Sequence, residues 1–167
     1  MNNAVEFGLW RDAVCNASLP LFHCAQHTLV CGLLAAGGTV VVTKGFDPGQ
    51  MLEIIERERL TFFMGLPLMH QALLEHPLRP KRDLSSLRMC MYAMAPMPET
   101  LLRRLIAEIC PNYMLGTGQT EMYPLTVAFR REEQLRRFGL DWGVSAMINV
   151  SAVMDRAGRL LGEGEVV

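Results

Sequence analysis

Residues 39 to 64 read TVVVTKGFDPGQMLEIIERERLTFFM, and the hydrophobic period changes twice within them. Thr39 to Val42 is an unbroken β-branched run that suits a strand. Asp47 is placed to cap a helix and Pro48 to occupy its first position, where a missing N–H costs nothing. Met51, Leu52, Ile54 and Ile55 then form an apolar set, with Glu53, Glu56 and Arg57 as the charged face, so the pattern predicts a helix over Pro48 to Glu58. Thr61 to Met64 is a second short apolar run. Strand, helix and strand in this order make the crossover unit of a parallel sheet.

The same alternation continues in both directions. Upstream, Ala13 to Leu19 is a candidate strand, and the apolar run Thr28 to Val42 divides at Gly37 and Gly38 into a helix end and the strand at Thr39. Pro20 and Phe22 beside His23 indicate a strand-to-helix turn. Downstream, Pro67 opens a helix that ends before Pro77, Arg79 to Ser86 is a polar loop, and Leu87 to Tyr92 is a strand. From Pro98, Leu101, Leu102, Leu105, Ile106 and Ile109 recur at helical spacing, with Arg103, Arg104 and Glu108 opposite. After Gly116 come a polar loop, an apolar stretch at Leu125 to Phe129, and a charged segment at Arg131 to Arg137. A late strand is expected around Met147 to Met154, then a turn at Asp155, Ala157 and Gly158, and an apparent strand at Glu163 to Val167 whose abrupt stop suggests truncation. The class expected is α/β, with alternating strands and helices around a mainly parallel sheet.

Composition narrows the function. The 167 residues carry 16 Lys+Arg against 17 Asp+Glu, a net charge of −1, which gives no electrostatic reason to expect nucleic acid or an anionic membrane. Arg130, Arg131, Arg136 and Arg137 are interleaved with Glu132 and Glu133, as on a solvated helix. With 50% hydrophobic and 20% charged residues the chain has ample material for a core. No run reaches the roughly 20 apolar residues of a spanning helix, and Met1 to Glu6 lacks the form of a secretory signal, so cytoplasmic residence is the expectation. Cys15, Cys24, Cys31, Cys90 and Cys110 contain no CxxC pair and read as reduced core residues, and the 12 methionines read as soft core filler.

Two clusters could carry chemistry. Gly116, Thr117, Gly118, Gln119, Thr120 and Glu121 form a glycine-bearing loop ending in a hydroxyl beside a carboxylate. Backbone N–H groups and the Thr hydroxyl could hold phosphate oxygens, and Glu supplies the oxygen ligand that Mg²⁺ prefers; the same residues also fit a plain strand-to-loop turn with a solvated Glu. His23, Cys24, His27 and Cys31 are four potential zinc ligands. Eight residues of helix rise about 12 Å, however, so His23 and Cys31 cannot share one ion. Neither a GxxxxGK[ST] nor a GxGxxG motif occurs.

Leu19-Pro20-Leu21-Phe22-His23, Phe46-Asp47-Pro48, Gly65-Leu66-Pro67, Leu84-Ser85-Ser86-Leu87-Arg88, Tyr92-Ala93-Met94-Ala95-Pro96-Met97-Pro98 and Gly118-Gln119-Thr120-Glu121 occur in this order. Together they resemble the adenylate-forming acyl-CoA synthetase superfamily, with wording nearest the fatty acyl-CoA branch. The closing Asp155, Gly158, Gly162, Glu163, Gly164 and Glu165 extend the resemblance. It implies part of the N-terminal, AMP-binding domain of such an enzyme, over residues 1 to 167. The family's upstream phosphate loop with its Lys and its C-terminal domain have no counterpart in these residues.

The implied reaction attacks the α-phosphorus of ATP with a carboxylate, giving an acyl adenylate that the CoA thiol then resolves. By resemblance, Thr120 holds the nucleotide phosphate, Glu121 positions Mg²⁺, and His23 stands beside the acyl carboxylate. Ala93, Met94 and Ala95 line the nucleotide and acyl site, and Thr117, Gly118 and Gln119 shape the nucleotide loop. Met94 is bulkier than the family's usual small residue, and Thr117 replaces a frequent aromatic. The partners implied are a carboxylic acid, CoA and the remainder of a synthetase chain. The chain alone is expected to turn over little, and exposed edges are expected to favour oligomers. Two other readings stand beside this one: a stand-alone, non-catalytic binding module, and part of a peptide-synthetase-type adenylation domain that uses a carrier thiol.

Overall fold

A computed structural model describes residues 2–122, 125–139, 143–147 and 149–162. Its element order is α1 (Asn2–Glu6), β1 (Val14–Ala17), α2 (Cys24–Ala35), β2 (Thr39–Val42), α3 (Pro48–Glu58), β3 (Phe62–Gly65), α4 (Pro67–Glu75), β4 (Met89–Tyr92), α5 (Glu99–Glu108), β5 (Tyr113–Thr117), β6 (Val127–Phe129), α6 (Arg131–Gln134) and β7 (Val144–Ser145). The strands form a seven-stranded sheet in the order β2-β1-β3-β4-β5-β6-β7. From β2 to β5 every pairing is parallel, and β6 and β7 add antiparallel at the far edge. The mainly parallel α/β architecture expected from the sequence is the one found.

The crossover helices cover both faces, because successive residues of each inner strand point to opposite sides. Phe63, Cys90, Tyr92 and Tyr113 join Met51, Leu52 and Ile55 of α3, Leu73 of α4 and Leu102 and Leu105 of α5 in one core. Phe62, Met64, Met91 and Met114 join Ala4 of α1 and Leu29 and Leu33 of α2 in the other. The start of α3 is as read: the Asp47 carboxylate accepts from Gln50 N at 2.8 Å, and Pro48 is the first helical residue. Arg59 closes that helix in the left-handed conformation (φ 54°).

Several boundaries differ from the sequence reading. The first strand is only Val14–Ala17, because Leu19 N turns to the side chain of Gln26 at 3.1 Å. α2 begins earlier than the apolar run suggested, at Cys24, with a Pro20–His23 turn leading into it (His23 N to Pro20 O, 3.0 Å). The stretch Leu125 to Phe129 contributes an antiparallel strand, and the charged segment contributes the four-residue α6. The late strand at Met147 to Met154 does not form among the described residues. Asn149 N turns back to Ala146 O at 2.8 Å and Ser151 N donates to Ser145 Oγ at 3.0 Å, so these backbone N–H groups are spent locally, and Met154 keeps only an isolated bridge to Leu160. Polar side chains there compete with the ladder that the apolar residues predicted. The turn at Asp155 is present, its carboxylate accepting from Ala157 N and Arg159 N, each at 2.9 Å. Glu163 to Val167 lie outside the described residues.

The antiparallel edge depends on Gly143. Its φ is +107°, and a Cβ there would run into the backbone carbonyl of Ala128 on β6. Gly143→Ala is expected to lower stability by about 1–2 kcal/mol, since backbone rather than a movable side chain must give way. Thermal melting of the two proteins checks this; an unchanged midpoint would show that the edge is not held by this contact.

Candidate active site

A cavity of about 540 Å³ opens at the carboxyl ends of the central parallel strands. Ligands of open α/β sheets bind in this position, outside the strand ends. The β4–β5 register, with Tyr92 opposite Leu115, places Ala93, Met94 and Ala95 beyond the end of β4 beside Gly116 and Thr117 at the end of β5 and Gly118 and Gln119 just after it, and both segments line the cavity. Across from them, α2 contributes His23, Cys24 and Thr28. The floor is apolar, with Phe7, Met64, Met91 and Leu125 among its residues.

Each segment is fixed by a local cause. His23 is the N-cap of α2: its Nδ1 accepts from Ala25 N at 3.4 Å, which leaves the proton of the neutral ring on Nε2. Cys24 Sγ lies 3.9 Å from the same Nδ1. Thr117 O accepts from both Thr126 N and Thr126 Oγ1, each at 3.0 Å, which ties the glycine-bearing loop to the strand that follows it. A Cβ at Gly116 would meet the terminal methyl of Met91, the movable end of a flexible side chain on the cavity floor. Met94 takes a left-handed backbone conformation (φ 69°) that a side chain with a Cβ seldom adopts.

A buried amide pair sets the position of α2. Asn16 Nδ2 donates to Met64 O at 3.0 Å and to Ser18 Oγ at 2.6 Å, while its Oδ1 accepts from Met64 N at 2.9 Å. Gln26 Nε2 donates to Asn16 O at 3.3 Å, and Gln26 Oε1 accepts from Leu19 N. The end of β1, β3 and the first turn of α2 are thereby joined around side chains that water does not reach.

The lining contains no Lys, Arg, Asp or Glu among the described residues. Its phenol, Tyr92, donates to Gln134 Oε1 at 3.3 Å, and burial pushes its pKa up to about 12, so it stays neutral. Of the residues singled out in the sequence, His23, Ala93, Met94, Ala95, Thr117, Gly118 and Gln119 meet around this one cavity. Thr120 and Glu121 do not line it. They lie just beyond, exposed, in the 3-10 turn Thr120–Met122. The zinc reading finds no support, since no group of three potential ligands exists among the described residues. Likewise, no helix among the described residues is long and apolar enough to cross a membrane. Sequence reasoning missed Asn16 and Gln26, which carry no motif, and the floor, whose only signal is the shared strand parity of Met64 and Met91.

A mainly parallel α/β sheet with a mostly apolar cavity at its strand ends, rimmed by a glycine-bearing loop, defines a class that binds small organic ligands. The profile of the family described as "AMP-binding enzyme" matches residues 1–166, and the chain belongs to this adenylate-forming family. A feruloyl-CoA synthase of Amycolatopsis sp. is 36% identical over 83% of this chain and 28% of its own length. A medium/long-chain-fatty-acid–CoA ligase of Mycobacterium tuberculosis, FadD8, is 31% identical over 88% of this chain and 26% of its own. The chain spans between 18% and 28% of the length of the curated relatives it matches. Among solved structures, amide bond synthetase McbA of Marinactinospora thermotolerans superposes with a TM-score of 0.86 at 29% identity, over 98% of this chain and 33% of that one. The N-terminal domain of FACL13 from M. tuberculosis gives 0.85 at 25% identity, over 92% and 38%.

Proposed function

We propose that the chain is part of the AMP-binding domain of an ATP-dependent ligase that activates a carboxylic acid as its acyl adenylate and passes the acyl group to the thiol of CoA. The observation that carries this reading is the meeting of His23, Ala93 to Ala95 and Thr117 to Gln119 around one cavity within a family-matched fold. Acyl–CoA ligases among the relatives support the reaction class. The fatty acyl assignment draws support from FadD8, and the feruloyl-CoA synthase extends the acid class to aryl chains. We place the reaction in the cytoplasm, and assign the outer edge of β2, where Val42 is exposed, to contact with the remainder of a longer chain or with a second copy.

In this reading the carboxylate of the acid lies beside His23, whose Nε2–H can donate to it. Attack on the α-phosphorus of ATP expels pyrophosphate, and charge on the phosphoryl oxygens must be met by donors already in place. Backbone N–H groups of the Gly116 to Gln119 segment and the Thr120 hydroxyl fit that task, being at the cavity rim or exposed beside it. Mg²⁺ when bound neutralises phosphate oxygens, and the exposed Glu121 carboxylate is the oxygen donor this loop offers it. Among the described residues the lining holds no Lys or Arg to grip a triphosphate, so these residues alone are expected to bind AMP and to turn over little.

Titration of the chain with AMP, followed by backbone amide NMR, tests the assignment. Shifts are expected at Gly116 to Gln119 and at Ala93 to Ala95. Thr120→Ala should weaken AMP about tenfold, the worth of one hydrogen bond to a charged group, and Glu121→Gln should abolish the Mg²⁺ dependence of ATP binding. Perturbations confined to other surfaces, or none at millimolar AMP, would rule the reading out.

A further inference from the structure

A second cavity, of about 170 Å³, lies at the opposite end of the sheet, where β3 and β4 begin. Phe62 and Met89 form one side of it, and Leu9 and Ala13, from the loop before β1, form the other. Phe7 belongs to this lining and to that of the first cavity, so the two spaces share a wall, and its ring is held against Phe62 with centroids 5.6 Å apart. Leu9, Ala13 and Phe62 are buried. The Thr61 hydroxyl beside them is already spent on Val14, accepting from its N at 3.0 Å and donating to its O at 3.4 Å. Apolar space of this size suits a small ring: a cavity of about 150 Å³ walled by Leu, Ile and Phe takes benzene.

One charged side chain, Arg88, belongs to the lining among the described residues. Its backbone is anchored on both sides, N donating to Thr61 O at 2.8 Å and O accepting from Asn112 Nδ2 at 2.7 Å. At its tip, Nη1 donates to Asp12 Oδ2 at 2.6 Å, yet Asp12 stands outside the lining, and both side chains are more than half exposed. An exposed ion pair contributes little, so one carboxylate can be exchanged for another at small cost. The guanidinium fork is shaped to take a carboxylate through two parallel hydrogen bonds, whereas Asp12 takes one.

We propose that this second cavity is a binding site for a small aryl monoanion, whose ring is enclosed by Leu9, Phe62 and Met89 and whose carboxylate takes the place of Asp12 on Arg88. The site lies away from the first cavity and does not depend on the reaction proposed for it. Burial of the ring supplies the binding energy, and the charge supplies the selectivity. A neutral ring gains the burial without the ion pair, and a ring bearing an ammonium meets the like charge of the guanidinium.

The test uses the chain with ¹³C-methyl methionine, in which Met89 reports the second cavity and Met64 and Met91 report the first. Benzoate should shift the Met89 methyl signal saturably, benzyl alcohol should do so about tenfold more weakly, and benzylamine should leave it in place. Arg88→Gln should weaken benzoate at Met89 about tenfold and leave any response of Met64 and Met91 as in the parent. Asp12→Asn should tighten it about threefold, because the competing carboxylate is gone. Both positions are exposed, so neither variant removes part of the core. A Met89 signal unmoved by millimolar benzoate, benzyl alcohol bound as tightly as benzoate, parent-like binding in Arg88→Gln, or weaker binding in Asp12→Asn overturns the proposal. AMP shifts at Gly116 to Gln119 decide the adenylate-forming reading separately, so either can fall while the other stands.

Discussion

Acidification from pH 7 to pH 4 is expected to cost the fold about 3 kcal/mol through one side chain, His70. It lies on α4 with no exposure to solvent, edge-on to Phe63 (ring centroids 5.0 Å) and Tyr113 (5.3 Å). Its Nε2 donates to Met91 O at 3.1 Å, and its Nδ1 accepts from the Tyr113 hydroxyl at 3.4 Å. Burial drives the pKa from 6.5 to about 4, only partly opposed by the hydrogen bonds to Met91 and Gly65. The folded ring thus stays neutral where the unfolded ring takes a proton. Stability is complete above the unfolded value of about 6.5, falls as pH drops toward 4, and levels off below it, at about 1.4 kcal/mol per pH unit. Against a total of about 5–15 kcal/mol for a domain, this is a large fraction.

Urea unfolding at pH 7, 5.5 and 4.5, on the parent and on His70→Gln, measures the effect. Gln keeps an N–H for Met91 O and does not titrate, so its curve should be nearly flat where the parent declines. Parallel curves would show that other groups carry the acid sensitivity. The carboxylates of Asp12, Glu56 and Asp83 are held low by hydrogen bonds and neighbouring arginines, so their contributions are lost at more acid pH than the histidine's.

The contrast between α3 and the region after Gly116 shows what a linear sequence makes legible. Around α3 every cue is local: a capping Asp47, Pro48 at the first turn, a four-residue apolar face and β-branched flanks, and each acts within a few residues of itself. Beyond Gly116 the outcome is set by distant partners. Ser145 Oγ accepts from Ser151 N at 3.0 Å, and the carboxylate of Glu6 on α1 accepts from Met147 N at 2.6 Å and Arg130 Nη2 at 2.8 Å. An apolar run whose backbone is claimed in this way does not become a strand, and no period within it says so. At the site, the glycine-bearing loop and the Ala93 to Ala95 segment were legible as motifs, and the β4–β5 register brings them together. The exclusion of Thr120 and Glu121 from the cavity lining was not, because it depends on a single 3-10 turn after Gln119.

The amide pair beneath α2 gives the other large effect. Asn16→Leu is nearly isosteric, and it should destabilise the fold by about 2–4 kcal/mol, because both backbone groups of Met64 and the Ser18 hydroxyl lose a partner in a place water cannot fill. The cost is that high because β1 and β3 share a single registered pair, Cys15 with Phe62, and the Asn16 side chain continues their ladder in place of further backbone bonds. Gln26→Leu should cost less, about 1–3 kcal/mol, since it orphans Leu19 N and Asn16 O at the end of the strand. The two are neighbours in one network, so the double variant should lose less than the two costs combined, a coupling that urea unfolding of all four proteins resolves. Additive losses would show two independent contacts. Coupled losses would mean that β1, β3 and the first turn of α2 move as one unit, and that the position of His23 over the cavity is set from below by two side chains that never touch it.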